Sequence, residues 1–387
     1  MRLPLRVGEA ADWKIERRPP SESRAWHRVA AVVLGVSASL AFGVIVSGSS
    51  LIVFEDLWLF SFGSPTGIED VATLSIPLIL TGLAASIPLR LGLWNIGAEG
   101  QLFIGAWAAA GIAFVLPDLG WPLLVPLMLV ASLMGGAVWV LLPAIARVYF
   151  NVNEIITTLL LNFVAVFWVI YWAGEPWRDP TSVGGVKSKL IPSQAELPLL
   201  AFGSAEIPIG FFIAAAVAVV ASLILRQTTI GYEVTMLDAS PGNARFAGIP
   251  TRRLLIYSLL VGGAMAGLAG TIEMMGNQYR FGSALSNNTG YTGIVVAVLA
   301  GGSAIGVVAM AIVFALIAIV GGIMRAEGTS SDIIFAMYGI TLIVASIAQG
   351  LSSFKLVRRP PPSADDDLPT GPGYSGEQAA MEKPGVN

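Results

Sequence analysis

Of 387 residues, 55% are hydrophobic and only 12% carry a charge, against roughly 25% in ordinary soluble proteins, so the chain lacks the charge to cover a globular surface in water. Cysteine is absent, which excludes a disulfide framework and thiolate metal sites. The formal net charge of -3 excludes little, because orientation in a bilayer follows the placement of Lys and Arg rather than their sum.

The first 28 residues carry seven bases and the sole histidine, His27. They are too long and too polar for a cleaved signal peptide, so the apolar run after them is expected to stay as a first span. A hydrocarbon core about 30 Å thick takes roughly 20 apolar residues per helical crossing. Windows free of Asp, Glu, Lys and Arg follow at 29–54, 71–89, 100–117, 119–146, 155–174, 207–225, 254–272, 281–324 and 333–354. The window at 281–324 is long enough for two crossings, which predicts ten spans and an all-α polytopic membrane protein. The expected organisation is a cytoplasmic tail over 1–28, a transmembrane domain over 29–354 with a long loop at 226–253, and a disordered cytoplasmic tail over 355–387, where Pro360, Pro361, Pro362 and three consecutive acids begin a Gly/Pro-rich end.

With the N-terminus in the cytoplasm, ten spans sort the 22 bases into 17 inside and five outside, the bias that cytoplasmic loops carry. The outer loop at 54–70 has four acids and no base, and Trp58, Trp121, Trp172 and Trp177 fall at span ends, where an amphipathic indole suits the headgroup layer. Ten spans divide into two sets of five, which an odd number would place upside down to one another. Transporters of that kind hold their solute near the midplane, beside interrupted helices. Each half offers an interruption, one at 92–101 and one at 290–306, the latter rich in Gly290, Gly293, Gly301, Gly302 and Gly306.

Three glycines, Asn95, Glu99 and Gln101 crowd the first interruption. Non-helical backbone there must face protein or a water-filled cavity, and an ionisable residue at depth marks a functional site. The alternative for Glu99 is a first-turn acid favoured by the positive end of the next helix. Asn153 and Glu154 open the fifth span with the same two readings, path or helix cap. Asn162, eight residues beyond Glu154, is an amide inside a span and needs an interhelical or ligand partner. Glu273 and Gln278 either line an outer vestibule or mark the interface. The 226–253 loop is predicted to form a short helix around 231–239, a turn at Ser240 and Pro241, and a second short helix ending at Gly248 with Pro250 beyond. It serves either as a docking surface or as an amphipathic loop on the headgroups.

No phosphate-binding G-x-x-x-x-G-K-[ST] loop occurs, and a lone histidine in a basic tail leaves no Ser-His or His-metal centre. No catalytic residue, metal, cofactor or nucleic-acid partner is expected.

The motif Leu91-Gly92-Leu93-Trp94-Asn95-Ile96-Gly97-Ala98-Glu99-Gly100-Gln101 resembles the signature of permease subunits of bacterial ABC importers of the branched-chain amino acid and simple sugar superfamily. Asn153-Glu154-Ile155-Ile156-Thr157-Thr158 through Asn162 is similar to its nucleoside-importing branch, and the glycine-rich stretches at 262–270 and 290–303 match its pattern. One departure is Ala304, where the family often has Pro after Ser. The resemblance covers about residues 30–350. It implies an inner-membrane translocation path for nucleosides, or for simple sugars such as ribose, with Trp94, Asn95, Glu99, Gln101 and Asn162 along the path. It implies as partners a separate cytosolic ATPase, a second, related permease and a periplasmic or lipoprotein solute-binding protein. It also implies that Gly231, Ala239, Gly242, Asn243, Ala244, Gly248 and Ile249 belong to the loop that couples to the ATPase. An ion-coupled secondary transporter is the alternative of a different class, although Glu99, Glu154 and Glu273 are scattered along the chain rather than clustered.

Overall fold

The structure, a computed structural model, describes residues 13–17, 25–48, 52–181, 186–330, 332–352 and 354–358. A strand, β1 (Trp13–Arg17), precedes α1 (Ala25–Ser47), α2 (Ile52–Ser61), α3 (Pro65–Leu89), α4 (Ala98–Val115), α5 (Trp121–Phe150) and α6 (Glu154–Gly174). A loop bearing β2 (Lys187–Leu190), β3 (Leu199–Phe202) and β4 (Ala205–Pro208) leads to α7 (Ile209–Gln227) and the short pair α8 (Thr229–Ala239) and α9 (Pro241–Phe246). α10 (Thr251–Glu273), β5 (Arg280–Gly282), α11 (Thr289–Leu299), α12 (Ala304–Ala326), α13 (Ile333–Ser352) and β6 (Phe354–Arg358) complete the chain.

Among the described residues, nine helices are long and apolar enough to cross a bilayer. The tenth expected span is α11, which has only 11 residues. At about 1.5 Å per residue it is about 16 Å long, roughly half of a hydrocarbon core. The 281–324 window measures the absence of charge, not where a helix can start. Tyr279, Asn287 and Asn288 sit in the left-handed region (φ 54, 46 and 62), which keeps the chain non-helical up to Thr289. Gly290 and Gly293 are accordingly helical, and the second interruption lies ahead of Thr289 and at Gly301 and Gly302 rather than through 290–306. The 54–70 region also departs from an open loop. It holds most of α2, then Ser64, whose hydroxyl accepts from the Gly67 N–H at 3.1 Å, and Pro65 in the first turn of α3.

α3 and α10 run antiparallel through the centre: Gly262 faces the Ala84 carbonyl and Pro88, while Ile76 and Ile272 lie together against Gly210. Around them the packing is reciprocal. α3 lies against α11 and α12 as α10 lies against α4 and α5, the arrangement expected of two inverted halves. α4, α5 and α10 touch backbone to backbone through Gly105, Gly136 and Gly267, where any Cβ would overlap a neighbouring peptide. The core beside this contact includes Leu80, Leu83, Leu102 and Phe314, all fully buried.

Arg28 and Arg90 reach Gly301 and Gly302, and Leu91 packs with Val234, Leu237 and Ala244. The start of α1, the end of α3 and the α8–α9 pair therefore share one end of the bundle. At that end β6 follows α13 and pairs antiparallel with β1, Ile15 opposite Leu356, so regular structure continues past residue 354. At the far end β2 pairs with β5, and β3 with β4.

Candidate functional site

After α3 the chain turns at Gly92 (φ 72) and re-enters the bundle as non-helical backbone until α4 begins at Ala98. Lipid offers such peptide groups no partner, at a cost of several kcal/mol each. Polar side chains supply the partners here. Asn95 and Gln101, 2% and 1% exposed, form a reciprocal amide pair, Asn95 Nδ2 donating to Gln101 Oε1 (2.9 Å) and Gln101 Nε2 to Asn95 Oδ1 (2.8 Å). Asn95 Oδ1 also accepts from the Gly97 N–H at 3.2 Å, and its Nδ2 donates to the Ala84 carbonyl of α3 at 3.3 Å. Asn162 of α6 accepts from the Gly100 N–H (2.9 Å) and donates to the Ile96 carbonyl (2.9 Å) and the Tyr291 hydroxyl (3.1 Å).

Glu99, in the first turn of α4, reaches the second interruption. Its carboxylate accepts from the Ser286 hydroxyl and, at 2.9 Å, from the Gly290 N–H in the first turn of α11. Thr81 of α3 donates to the Thr289 carbonyl at 3.1 Å. The two breaks that the sequence placed in separate halves are thus one site. Its depth follows from α11, which runs from here to the turn where the Arg90 guanidinium donates to the Gly302 carbonyl. One α11 length, about 16 Å, is about half of the roughly 30 Å core, so the junction is at mid-depth.

The remaining expected residues fall elsewhere. Trp94, 40% exposed, is at the α8–α9 end, its backbone N–H donating to Glu154 Oε1 at 3.4 Å. Glu154 pairs with Arg147 Nε at 3.1 Å, and Asn153 caps α6 by accepting from the Ile155 N–H at 2.9 Å. Glu273 and Gln278 brace the π-helical turn Met274–Gln278 at the far end. Glu273 accepts from Asn277 (2.6 Å) and Gln278 (3.4 Å), and Gln278 also donates to the Ala284 (3.3 Å) and Leu285 (3.2 Å) carbonyls. Close by, Asp179 accepts from the Thr181 hydroxyl (2.6 Å) and N–H (2.9 Å) and pairs with Arg280 at 2.6 Å. These contacts, Thr181 first and Arg280 after it, hold its carboxyl below the ordinary value.

Sequence reasoning missed Ser286, Tyr291 and above all Asn287 and Asn288, whose side chains are exposed beside the junction. A signal was present. Ser283, Ser286, Asn287, Asn288 and Thr289 form a polar run inside the charge-free window, which a search for charges passes over. Exposed amides at mid-depth have no partner in hydrocarbon, so this surface faces water or another chain.

At the α8–α9 end, Thr228 caps α8 through the Gly231 N–H (3.4 Å) and Ser240 caps α9 through the Asn243 N–H (3.4 Å). Gly231 is buried against the Leu225 backbone, and Ala244 is fully buried with Val234, Leu237 and Leu254, with Ile249 packed on that cluster. Ala239, Gly242, Asn243 and Gly248 are exposed. The most prominent side chain of the pair, missed in the sequence, is Phe246 at 94% exposure.

Crossing helices, with a re-entrant segment and a half-length helix meeting at a polar junction between them and a short helix pair at one end, define a membrane transport protein. The family model for the branched-chain amino acid transport system permease component matches residues 67–346, and the chain belongs to that family. It is 35% identical over 340 residues to a glucose ABC transporter permease of Haloferax volcanii, covering 84% of this chain and 86% of that one. It is 30% identical to a nucleoside ABC transporter permease of Lactococcus lactis (74% and 79% covered). With a guanosine ABC transporter permease of Bacillus subtilis the identity is 31% (72% and 80% covered). No solved structure matches the chain. It is an ABC-transporter permease subunit and a multi-pass membrane protein.

Proposed function

We propose that this chain forms part of the translocation path for nucleosides in an ATP-driven importer, hydrolysis taking place on a separate cytosolic ATPase. The observation that carries the reading is the pair of exposed neutral amides, Asn287 and Asn288, at the mid-depth junction. Amides donate and accept, so they suit hydroxyls and base edges without charge. The network of Asn95, Glu99, Gln101 and Asn162 holds that surface open by satisfying the broken backbone, and relatives named for nucleosides and guanosine supply the solute class. Simple sugars are the second reading, favoured by the glucose-named relative at 35% identity.

The α8–α9 end is assigned to the cytosol of the inner membrane, together with both termini, since that orientation is the one in which the sequence puts 17 of the 22 bases on the cytosolic side. Phe246 and the exposed faces of α8 and α9 seat on the ATPase. A second, related permease closes the path, and a periplasmic or lipoprotein binding protein delivers solute to the far end.

The test is uptake of labelled guanosine by the reconstituted complex. Unlabelled adenosine and uridine should compete and ribose and glucose should not; competition by the sugars alone overturns the nucleoside assignment. An ATPase-inactive partner should abolish uptake, whereas uptake that persists with it and collapses with an uncoupler means an ion-coupled carrier. Asn287→Gly with Asn288→Gly keeps left-handed backbone accessible while removing both amides. The complex should assemble and melt as wild type with uptake at least about tenfold lower, the loss of one or two charge-free hydrogen bonds. Unchanged uptake would take the path off this surface.

A further inference from the structure

A cavity of about 790 Å³ opens between the last turn of α5 and the first turn of α10, under α9. Four arginines line it, Arg147, Arg245, Arg252 and Arg253, and no acid does. Arg147 is paired with Glu154, while the other three make no ion pair among the described residues. Arg252 lies 5.9 Å from the Tyr149 ring. Three uncompensated guanidinium groups around one cavity repel one another unless an anion joins them, and their planar forks match phosphate oxygens two at a time.

The surface leading to the cavity is apolar. Met134, Val138, Leu142, Ile145 and Tyr149 are all exposed on α5, from 38% to 66%. Their spacing of three and four places them on one stripe, about 22 Å long, that ends at the cavity mouth. Such a stripe on a crossing helix is a lipid-facing surface, so the cavity opens where acyl chains run beside α5. We propose that the cavity binds the headgroup phosphate of an anionic phospholipid, its chains lying along α5. Basic pockets at the cytoplasmic ends of crossing helices suit such headgroups. The arginines belong to α5, α9 and α10, so a bound lipid would clamp the short helix pair to two crossing helices and tune the transfer of ATPase motion into the bundle. The inference rests on the α8–α9 end facing the anionic leaflet and is independent of the solute.

The experiment is native mass spectrometry of the intact complex exchanged into mixed phosphatidylglycerol and phosphatidylcholine. Wild type should retain phosphatidylglycerol over phosphatidylcholine by at least about tenfold, the scale of one charged hydrogen bond. Arg252→Gln with Arg253→Gln should lose that preference while the ATPase still co-purifies at the normal ratio. Retained preference in the variant overturns the proposal, as does loss of the ATPase with the preference intact, which would assign the arginines to the protein interface. Should the variant not assemble, wild-type melting decides: phosphatidylglycerol must raise Tm more than phosphatidylcholine does. A rise equalled by inorganic phosphate, or no rise, sinks the lipid assignment.

Discussion

Asn95 and Gln101 form a reciprocal amide pair inside the bundle. Among the described residues the Gln101 side chain bonds only to Asn95, so replacing Asn95 leaves the Gln101 amide buried and unpaired, which costs about 1–3 kcal/mol. The contacts of Asn95 with the Gly97 N–H and the Ala84 carbonyl are lost in addition, and removing Gln101 as well relieves the first cost only. Asn95→Leu should therefore lower the Tm of the purified chain, and adding Gln101→Leu should recover part of the loss. A double variant less stable than either single would refute the pairing. Uptake gives the complementary readout: a purely structural pair predicts that activity returns with stability, while solute contact predicts that it stays lost. Asn95, Glu99, Gln101 and Asn162 stood out in the sequence because few polar groups interrupt the apolar background there. Their partners were not legible, because Gly290 and Ser286 lie nearly two hundred positions from Glu99 and only the fold brings them together (separations of 191 and 187). Asn287 and Asn288 escaped because their left-handed backbone leaves no trace in a count of charges.

Elements divide the same way. Long helices with wide apolar windows were legible, because burial in lipid demands little more than length and composition. The shortness of α11 and the existence of α2 were not, since each depends on where the backbone caps and breaks. The α8–α9 pair was legible from its stop signals, Ser240-Pro241 and Gly248, but which residues point outward was not. Gly231 and Ala244, expected in the coupling loop, are buried inside it, so an acid at Ala244 would unfold the pair rather than test docking. Phe246 is the discriminating position. Phe246→Ala should leave the unfolding free energy within about 0.5 kcal/mol of wild type, as exposed substitutions do, yet reduce solute-stimulated ATPase activity severalfold, as loss of an aromatic interface anchor does. Wild-type coupling in this variant would remove Phe246 from the interface.

At the scale of the whole molecule, the reciprocal packing about α3 and α10 means that the halves share a polar junction at mid-depth and a second tie at the far end. There β2, on the loop after α6, pairs with β5, on the segment after α10, and the Asp179–Arg280 ion pair spans the same two segments. Motion of one half against the other must strain or break this tie, so its strength sets part of the cost of opening that end. Asp179 reports on it through pH in part, since Thr181 on its own segment lowers its carboxyl more than Arg280 does. Its carboxyl is held below the ordinary 3.8, first by Thr181 and then by Arg280, so the folded state favours the ionised form. The contribution to stability is then fully present above the ordinary value and disappears as pH falls through the lowered one. Wild type should melt above Asp179→Asn by a constant margin from pH 7 to about pH 5, and the margin should shrink from about pH 4 downward. High salt should narrow it at neutral pH, because the pair is partly exposed. A margin that widens in acid, or does not respond to pH at all, would show that Asp179 holds the far end by shape and hydrogen bonding alone, and that the two halves are not joined there by charge.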